Sequence, residues 1–311
     1  MTAAAHALAV LAGALAMDAL VGEPPAPLHP VVWMGRLQRA LRRWAPAKPG
    51  AAFLYGMGMA AAGPLLFGLG SAALLRALGS WPAAQIALEI YLLKSALAVR
   101  ALAVAALAVR AALLQRDLTA ARSALRSLVS RNTSTLPAPL LAAAAVESVA
   151  ENASDSLVAP LLYYVLLGMP GALAYRAANT LDAQIGYHGE TEWLGKSAAR
   201  LDDALNLIPA RLTAALLVAA SALCRASPAS ALRVWWTDGS ATESPNAGRP
   251  MAAMAGALRV QLEKVGHYRL GAPAPEPGPE DISRSVLLLV VASALAGVAC
   301  AALISLHASH T

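Results

Sequence analysis

The sequence predicts an all-α, polytopic integral membrane helical bundle, a single membrane-embedded domain over residues 1–311, with polar helices and loops forming a site at the cytoplasmic face. Three observations carry this. Of 311 residues, 58% are hydrophobic and only 14% charged, against about 25% charged in ordinary soluble domains, and the mean hydropathy is +0.56. Several segments reach the ~20 apolar residues that a bilayer-spanning helix requires. The polar residues gather in a few short clusters at the borders of those segments.

Residues 3–21, 53–79, 207–224 and 285–307 read as spans. The first has no Lys/Arg start and no small-residue cleavage site after it, so it reads as a retained helix and not a signal peptide. Two further segments are ambiguous. Residues 84–113 carry Glu89, Lys94, Arg100 and Arg110, and 157–175 is interrupted by Gly168, Pro170 and Gly171; each either spans, lies flat or re-enters. EPPAPLHP (23–30) and GAPAPEPGPE (271–280) are loops, because proline removes backbone donors and fixes φ. Between 114 and 135, Leu114, Leu118, Ala121, Leu125 and Leu128, with Arg122 and Arg126 between them, describe an amphipathic helix that packs on the domain or lies on the membrane surface.

The net charge of +6 resides in loops. Arg36, Arg39, Arg42, Arg43 and Lys48 follow the first segment, and Arg110, Arg116, Arg122, Arg126 and Arg131 form a second basic stretch. By the positive-inside rule both face the cytoplasm, which places the N-terminus outside. Trp193, Trp235 and Trp236 suit interfacial anchors. Cys224 and Cys300 both fall in apolar segments, where they read as buried thiols without a disulfide or zinc framework.

Four polar clusters interrupt the apolar sequence. In ESVAENASD, Glu147, Glu151 and Asp155 recur every four residues and share one helical face. An ionisable group at the centre of a membrane helix costs roughly 2.5 to 3.5 kcal/mol on the insertion scale, so such groups have a partner or a function. NTLDAQIGYH runs from Asn179 to His188 and SPNAGRP from Ser244 to Pro250. GKSAARLDDALN (195–206) spaces Arg200 and Asp203 by three, and Asp202 and Asn206 by four, giving a helix with a basic and an acidic edge. A self-satisfied interfacial helix is the structural alternative for the last. His29, close to Glu23 in the proline-rich loop, is either structural or part of a site.

Carboxylates with Asn are the oxygen ligands that Mg²⁺ prefers, and Mg²⁺ usually arrives with substrate phosphates. Arg131, Lys196, Arg200 and Arg211 suit phosphate oxygens. Membrane carboxylates equally carry protons in transporters. There is no GxxxxGK[ST], GxGxxG or HExxH motif, and no nucleic-acid partner is expected.

Read in order, DALVGEPPAPLHPVVWMG (from Asp18), ESVAENASDSLVAPLLYY (Glu147), YRAANTLDAQIGY (Tyr175), ARLDDALNLIPARLTA (Ala199) and SPNAGRPMAAMAGAL (Ser244) resemble the signature segments of the membrane-bound adenosylcobinamide-phosphate synthases of cobalamin biosynthesis, the CobD or CbiB family. The resemblance covers nearly the whole chain. It implies ATP-dependent ligation of the free propionate carboxylate of adenosylcobyric acid to (R)-1-aminopropan-2-ol O-phosphate, with ATP as cosubstrate and Mg²⁺, at the inner cell membrane. Other enzymes of the pathway are candidate partners beside the corrinoid, the amine phosphate and the bilayer. Catalytic candidates are Glu147, Glu151, Asp202 and Asp203. Substrate-binding candidates are His29, Arg131, Asn152, Asn179, Asp182, Lys196, Arg200, Asn206, Arg211 and Asn246, and metal candidates are Glu151, Asp155 and Asp203. One departure concerns Arg131, Asn132 and Thr133, where the family pattern is Arg-Asp-Thr. Asn132 removes a negative charge and puts a metal role there in doubt, while still offering an oxygen. A polytopic transporter or sensor-like relative, using the same carboxylates for ion coupling, is the competing class; inverted repeats would favour it, and none is visible.

Overall fold

The computed structural model describes residues 2–186, 189 and 191–310. It is an all-α protein with one short hairpin. The helices are α1 (Ala3–Leu20), α2 (Pro30–Arg42), α3 (Pro49–Ala77), α4 (Pro82–Ala96), α5 (Val99–Leu114), α6 (Leu118–Leu125) and α7 (Ala138–Ala153), then a π-helical turn (Ser154–Val158), α8 (Ala159–Ile185), α9 (Glu192–Leu223), α10 (Pro228–Asp238) and α11 (Gly248–Leu258). β1 (Leu262–Lys264) pairs antiparallel with β2 (Tyr268–Leu270), and α12 (Pro279–His310) ends the chain. Proline stands in the first turn of α2, α3, α4, α7 and α10, where its missing N–H would be unpaired in any case and its fixed φ is already helical.

Six helical stretches are long and apolar enough to cross a membrane: Ala3–Leu20, Pro49–Ala77, Pro82–Leu114, Ala138–Ile185, Glu192–Leu223 and Pro279–Ser309. The two segments that hydropathy left ambiguous both contain breaks. The helix over 82–114 is interrupted at Leu97, which is extended (ψ 153°). In α8, Gly168 takes φ 67° and ψ −162° just before Met169 and Pro170, a backbone region open essentially to glycine alone. One expectation needs correction. The stretch 114–135 is helical only over α6, because Asn132 accepts from the Ser134 amide and Thr133 donates to the Arg122 carbonyl; such side chain–backbone bonds compete with the helical ladder. The apolar run from Leu207 and the GKSAARLDDALN segment before it form one helix, α9.

The chain forms two compact units. One comprises the chain up to Ala98, Ala159–Asn206 and the residues from Gly297 on; the other comprises Val99–Val158 and Leu207–Ala296. In the first, α3 packs on α8 and α1 on α4. Two of the charges that made 84–113 ambiguous are paired there: Lys94, fully buried, binds Asp18 at 2.8 Å and Glu23 at 2.9 Å, and Glu89 meets His6 at 3.1 Å and Gln85 at 3.0 Å. In the second, α7 is the central helix, packed against α5, α6, α11 and β1. Its run Leu141–Val146 is buried all round, as expected of a helical stretch apolar on every face.

Candidate functional site

In the second unit the ESVAENASD segment sits at the end of α7. Glu147 is 5% exposed, and its Oε2 accepts from Arg131 Nη2 at 2.9 Å. Glu151, one turn later, and Tyr268 of β2 are its electrostatic neighbours. Burial first, then the charges of Glu147 and Glu151, push the Tyr268 hydroxyl up, so it stays protonated and acts as a donor, lying 3.8 Å from the Met251 sulfur as well. Ser148 donates to the Leu128 carbonyl and Asn152 donates to the Ser148 carbonyl, both at 2.9 Å. Asp155, four residues beyond Glu151, lies in the π-helical turn. A widened turn of this kind is rare and is found preferentially at functional sites. Glu151, Asn152 and Asp155 are half-buried.

Next to this cluster, residues 119–134 enclose an open cleft of about 730 Å³ that includes Arg122, Arg126 and Arg131 in its walls. Asn132 is exposed, and its amide oxygen already accepts from Ser134. SPNAGRP forms the start of α11: Asn246 is buried, Thr242 Oγ1 accepts from the Gly248 amide at 3.0 Å, and Ser244 Oγ accepts from the Asn246 amide at 3.3 Å. A Cβ on Gly248 would stand 2.7 Å from both the Gly239 carbonyl oxygen and Thr242 Oγ1, so this turn admits no side chain. Arg211 is exposed and bonds its own helix at the Leu207 carbonyl.

In the first unit the polar residues form a chain of hydrogen bonds. Arg176 donates to Asn179 Oδ1 at 3.1 Å, Asn179 donates to Asp202 Oδ1 at 3.2 Å, Asn206 donates to Asp202 Oδ2 at 3.0 Å, and the Tyr175 hydroxyl donates to Asn206 Oδ1 at 3.0 Å. The Tyr175 ring stacks on Tyr163 at 5.1 Å. Asp202 and Asp203 are adjacent, half-buried acids. Asp182 is half-buried; Lys196 and Arg200 are exposed on α9, Lys196 lying 4.9 Å over the Trp193 ring. The closing residues of NTLDAQIGYH, Tyr187 and His188, lie outside the described residues.

His29 caps α2. Its Nδ1 accepts from the Val31 amide at 3.2 Å, which leaves the hydrogen on Nε2 to face Glu23 Oε2 at 2.8 Å. Burial alone would push the Glu23 carboxyl up, but the His29 and Lys94 hydrogen bonds and the Lys94 charge outweigh it and hold the group below the ordinary carboxylate range.

Among the described residues no group of three or more His, Cys, Asp or Glu converges as a metal site. This is compatible with Mg²⁺ carried on a nucleotide, which typically takes only one or two protein carboxylates beside phosphate oxygens and water. The Asp202–Asp203 pair, flanked by two side-chain amides, is chemically suited to that. Sequence reasoning missed Tyr268, Tyr175 and Arg176, and it noted Lys94 and Arg122 without assigning them a role. Tyr268 follows the cluster it serves by more than a hundred residues, with no local signal; Tyr175 and Arg176 lay inside a quoted motif, next to Asn179.

The fold and these clusters define a multi-pass membrane protein with polar side chains organised inside otherwise apolar helices. The CobD/Cbib protein family matches residues 11–303, and the chain belongs to that family. The cobalamin biosynthesis protein CobD of Dehalococcoides mccartyi is 45% identical over 89% of this chain and 90% of its own length. A probable cobalamin biosynthesis protein CobD of Thermococcus kodakarensis is 41% identical over 90% of each chain, and the CobD protein of Klebsiella pneumoniae is 38% identical over 90% of this chain and 92% of its own. No solved structure matches. Family membership makes this an enzyme of cobalamin biosynthesis.

Proposed function

We propose that the chain is an adenosylcobinamide-phosphate synthase working at the cytoplasmic face of the inner membrane: an ATP-dependent ligase that joins the free propionate carboxylate of adenosylcobyric acid to (R)-1-aminopropan-2-ol O-phosphate. The observation that supports it best is that three of the family-like segments, with Arg131, supply ordered acid, amide and guanidinium groups, around Glu147 in one unit and Asp202 in the other, instead of isolated charges. A carboxylate is a poor electrophile. In the proposed path its oxygen attacks the γ-phosphorus of ATP, ADP leaves, and the resulting acyl phosphate is attacked by the amine with loss of phosphate and of one proton.

Arg131 fixes Glu147, and Tyr268 donates toward it; Glu151, one turn on, is assigned as acceptor of the ammonium proton. Bound Mg²⁺ would supply charge neutralisation at the nucleotide phosphates; Glu151 and Asp155 in one unit, and Asp203 in the other, are separate candidates for holding it, and Asp202 is ordered by Asn179 and Asn206. Lys196, Arg200, Arg211, Asn152, Asp182, Asn246 and His29 are retained as substrate-binding candidates. The test is incubation of detergent-purified protein with adenosylcobyric acid, the amine phosphate and Mg-ATP, with mass detection of the amide and quantitation of ADP. Stoichiometric amide and ADP support the reading; absence of amide under conditions where the protein remains folded defeats it.

A further inference from the structure

We propose that the cleft formed by residues 119–134 is a phosphate-binding subsite for a small phosphate monoester. Its walls carry three guanidinium groups, from Arg122, Arg126 and Arg131, and the hydroxyls of Thr119, Ser123 and Ser130, with no carboxylate and no aromatic ring among its lining residues. Each arginine is anchored by a contact that leaves further donors unused. Arg122 places Nε and Nη2 on the Leu136 carbonyl, Arg126 places Nη2 on Ser123 Oγ, and Arg131 places Nη2 on Glu147. A guanidinium has five N–H donors, and the Arg131 Nε is buried without a hydrogen-bond partner among the described residues. Arg131 has the Glu147 carboxylate as its partner, while Arg122 and Arg126 are bonded to a neutral carbonyl and a hydroxyl, so positive charge remains around the opening, and a phosphate dianion meets such forks in bidentate fashion.

The lining decides the class of ligand. Val129 is its one large apolar side chain, so the cleft has nothing on which a purine would stack, and a phosphate on a short stem fits better than a nucleotide. This deepens the ligase reading: the phosphorylated amine would present its phosphate to the cleft while Glu147, held by Arg131, and its neighbour Glu151 stand directly behind that wall.

The experiment is calorimetric titration of the detergent-purified chain with inorganic phosphate, O-phosphoethanolamine and ATP, and flotation with vesicles containing phosphatidylglycerol, for the wild type, Arg126→Gln and Ser130→Ala. Both positions are exposed, and thermal unfolding confirms folding of each variant. The expected result is about tenfold weaker O-phosphoethanolamine binding in Arg126→Gln, as for loss of one charge-assisted contact, a smaller loss in Ser130→Ala, competition by inorganic phosphate, and unchanged ATP binding. Selective loss of ATP binding, an effect confined to vesicles, or unchanged binding of all ligands in both folded variants overturns the proposal. Amide formation with unaltered dependence on amine phosphate in Arg126→Gln overturns this subsite alone; Arg126-dependent phosphoester binding by a protein that makes no amide overturns the ligase reading alone.

Discussion

Glu147 and Glu151 differ by one helical turn and by their company, and that difference sets what each substitution should do. Glu147 is buried and paired with an Arg131 side chain that is 23% exposed. Removing one partner of a buried ion pair strands the other charge, at roughly 3–5 kcal/mol in the fully buried limit; solvent reaching Arg131 lowers that figure here. Arg131→Ala should therefore lower the unfolding temperature in detergent distinctly, and the double variant Arg131→Met/Glu147→Leu should recover most of the loss. If the double variant is as unstable as the single one, the pair is not what holds this region. Glu151 is half-buried on the same helix. Glu151→Gln keeps its shape and hydrogen-bonding capacity while removing its basicity, so amide formation should fall by about a hundredfold or more, in the range attributed to a general base, with folded yield nearly unchanged. Parallel loss of yield and turnover would make Glu151 structural. The sequence exposed both acids by their i, i+4 spacing, but neither Arg131 as the partner nor Tyr268 as the donor was readable, because both pairings depend on how distant segments close around α7.

At the scale of elements, the helix starts were the most legible feature, since proline in the first turn and proline-rich loops act locally. The π-helical turn at Ser154–Val158 and the short reach of α6 were not legible, because they follow from packing and from side chain–backbone bonds that a periodicity count does not contain. Gly168 was visible as a break, though not as a conformation. With φ 67° and ψ −162°, Gly168→Ala should cost about 1–3 kcal/mol from backbone strain. A new Cβ would come no closer than 3.7 Å to Pro170, so crowding adds little. An unfolding temperature equal to that of the wild type would mean that the kink relaxes. The loop from Gly22 to His29 is pinned by Glu23, which joins Lys94 of α4 to the cap of α2. Its carboxyl is held below the ordinary value, so the pairing stabilises the fold above that value and is lost as pH falls through the lowered one. Acid unfolding below about pH 4.5 should thus be partly governed by Glu23. Glu23→Gln should be less stable at neutral pH and should show a flatter decline on acidification; an unchanged acid limb would remove Glu23 from that role.

For the whole molecule, the membrane class and the family were legible because composition and five collinear motifs do not depend on packing, whereas sidedness was not. α9 is one helix of 32 residues, about 48 Å long at 1.5 Å per residue, against a hydrocarbon core of ~30 Å. If its apolar part crosses, the acidic residues at its start and the SPNAGRP segment after it face opposite sides, yet every segment that touches ATP must face the cytoplasm. For both to reach ATP, the apolar part of α9 must therefore not cross, since only α10 otherwise lies between the two segments. Irregular backbone, as at Leu97 and Gly168, is tolerated at membrane depth only where protein or water covers it. SPNAGRP itself is buried at Asn246, so the informative position is exposed Glu243 beside it. On a background with Cys224 and Cys300 replaced, Glu243→Cys and Ser130→Cys should both resist a membrane-impermeant maleimide in intact cells and react after permeabilisation. External labelling of Glu243→Cys alone would separate SPNAGRP, with Asn246, from the substrate-binding residues. External labelling of Ser130→Cys would remove the arginine cleft from the reach of a cytoplasmic phosphorylated substrate, and with it the placement of that substrate beside Glu147.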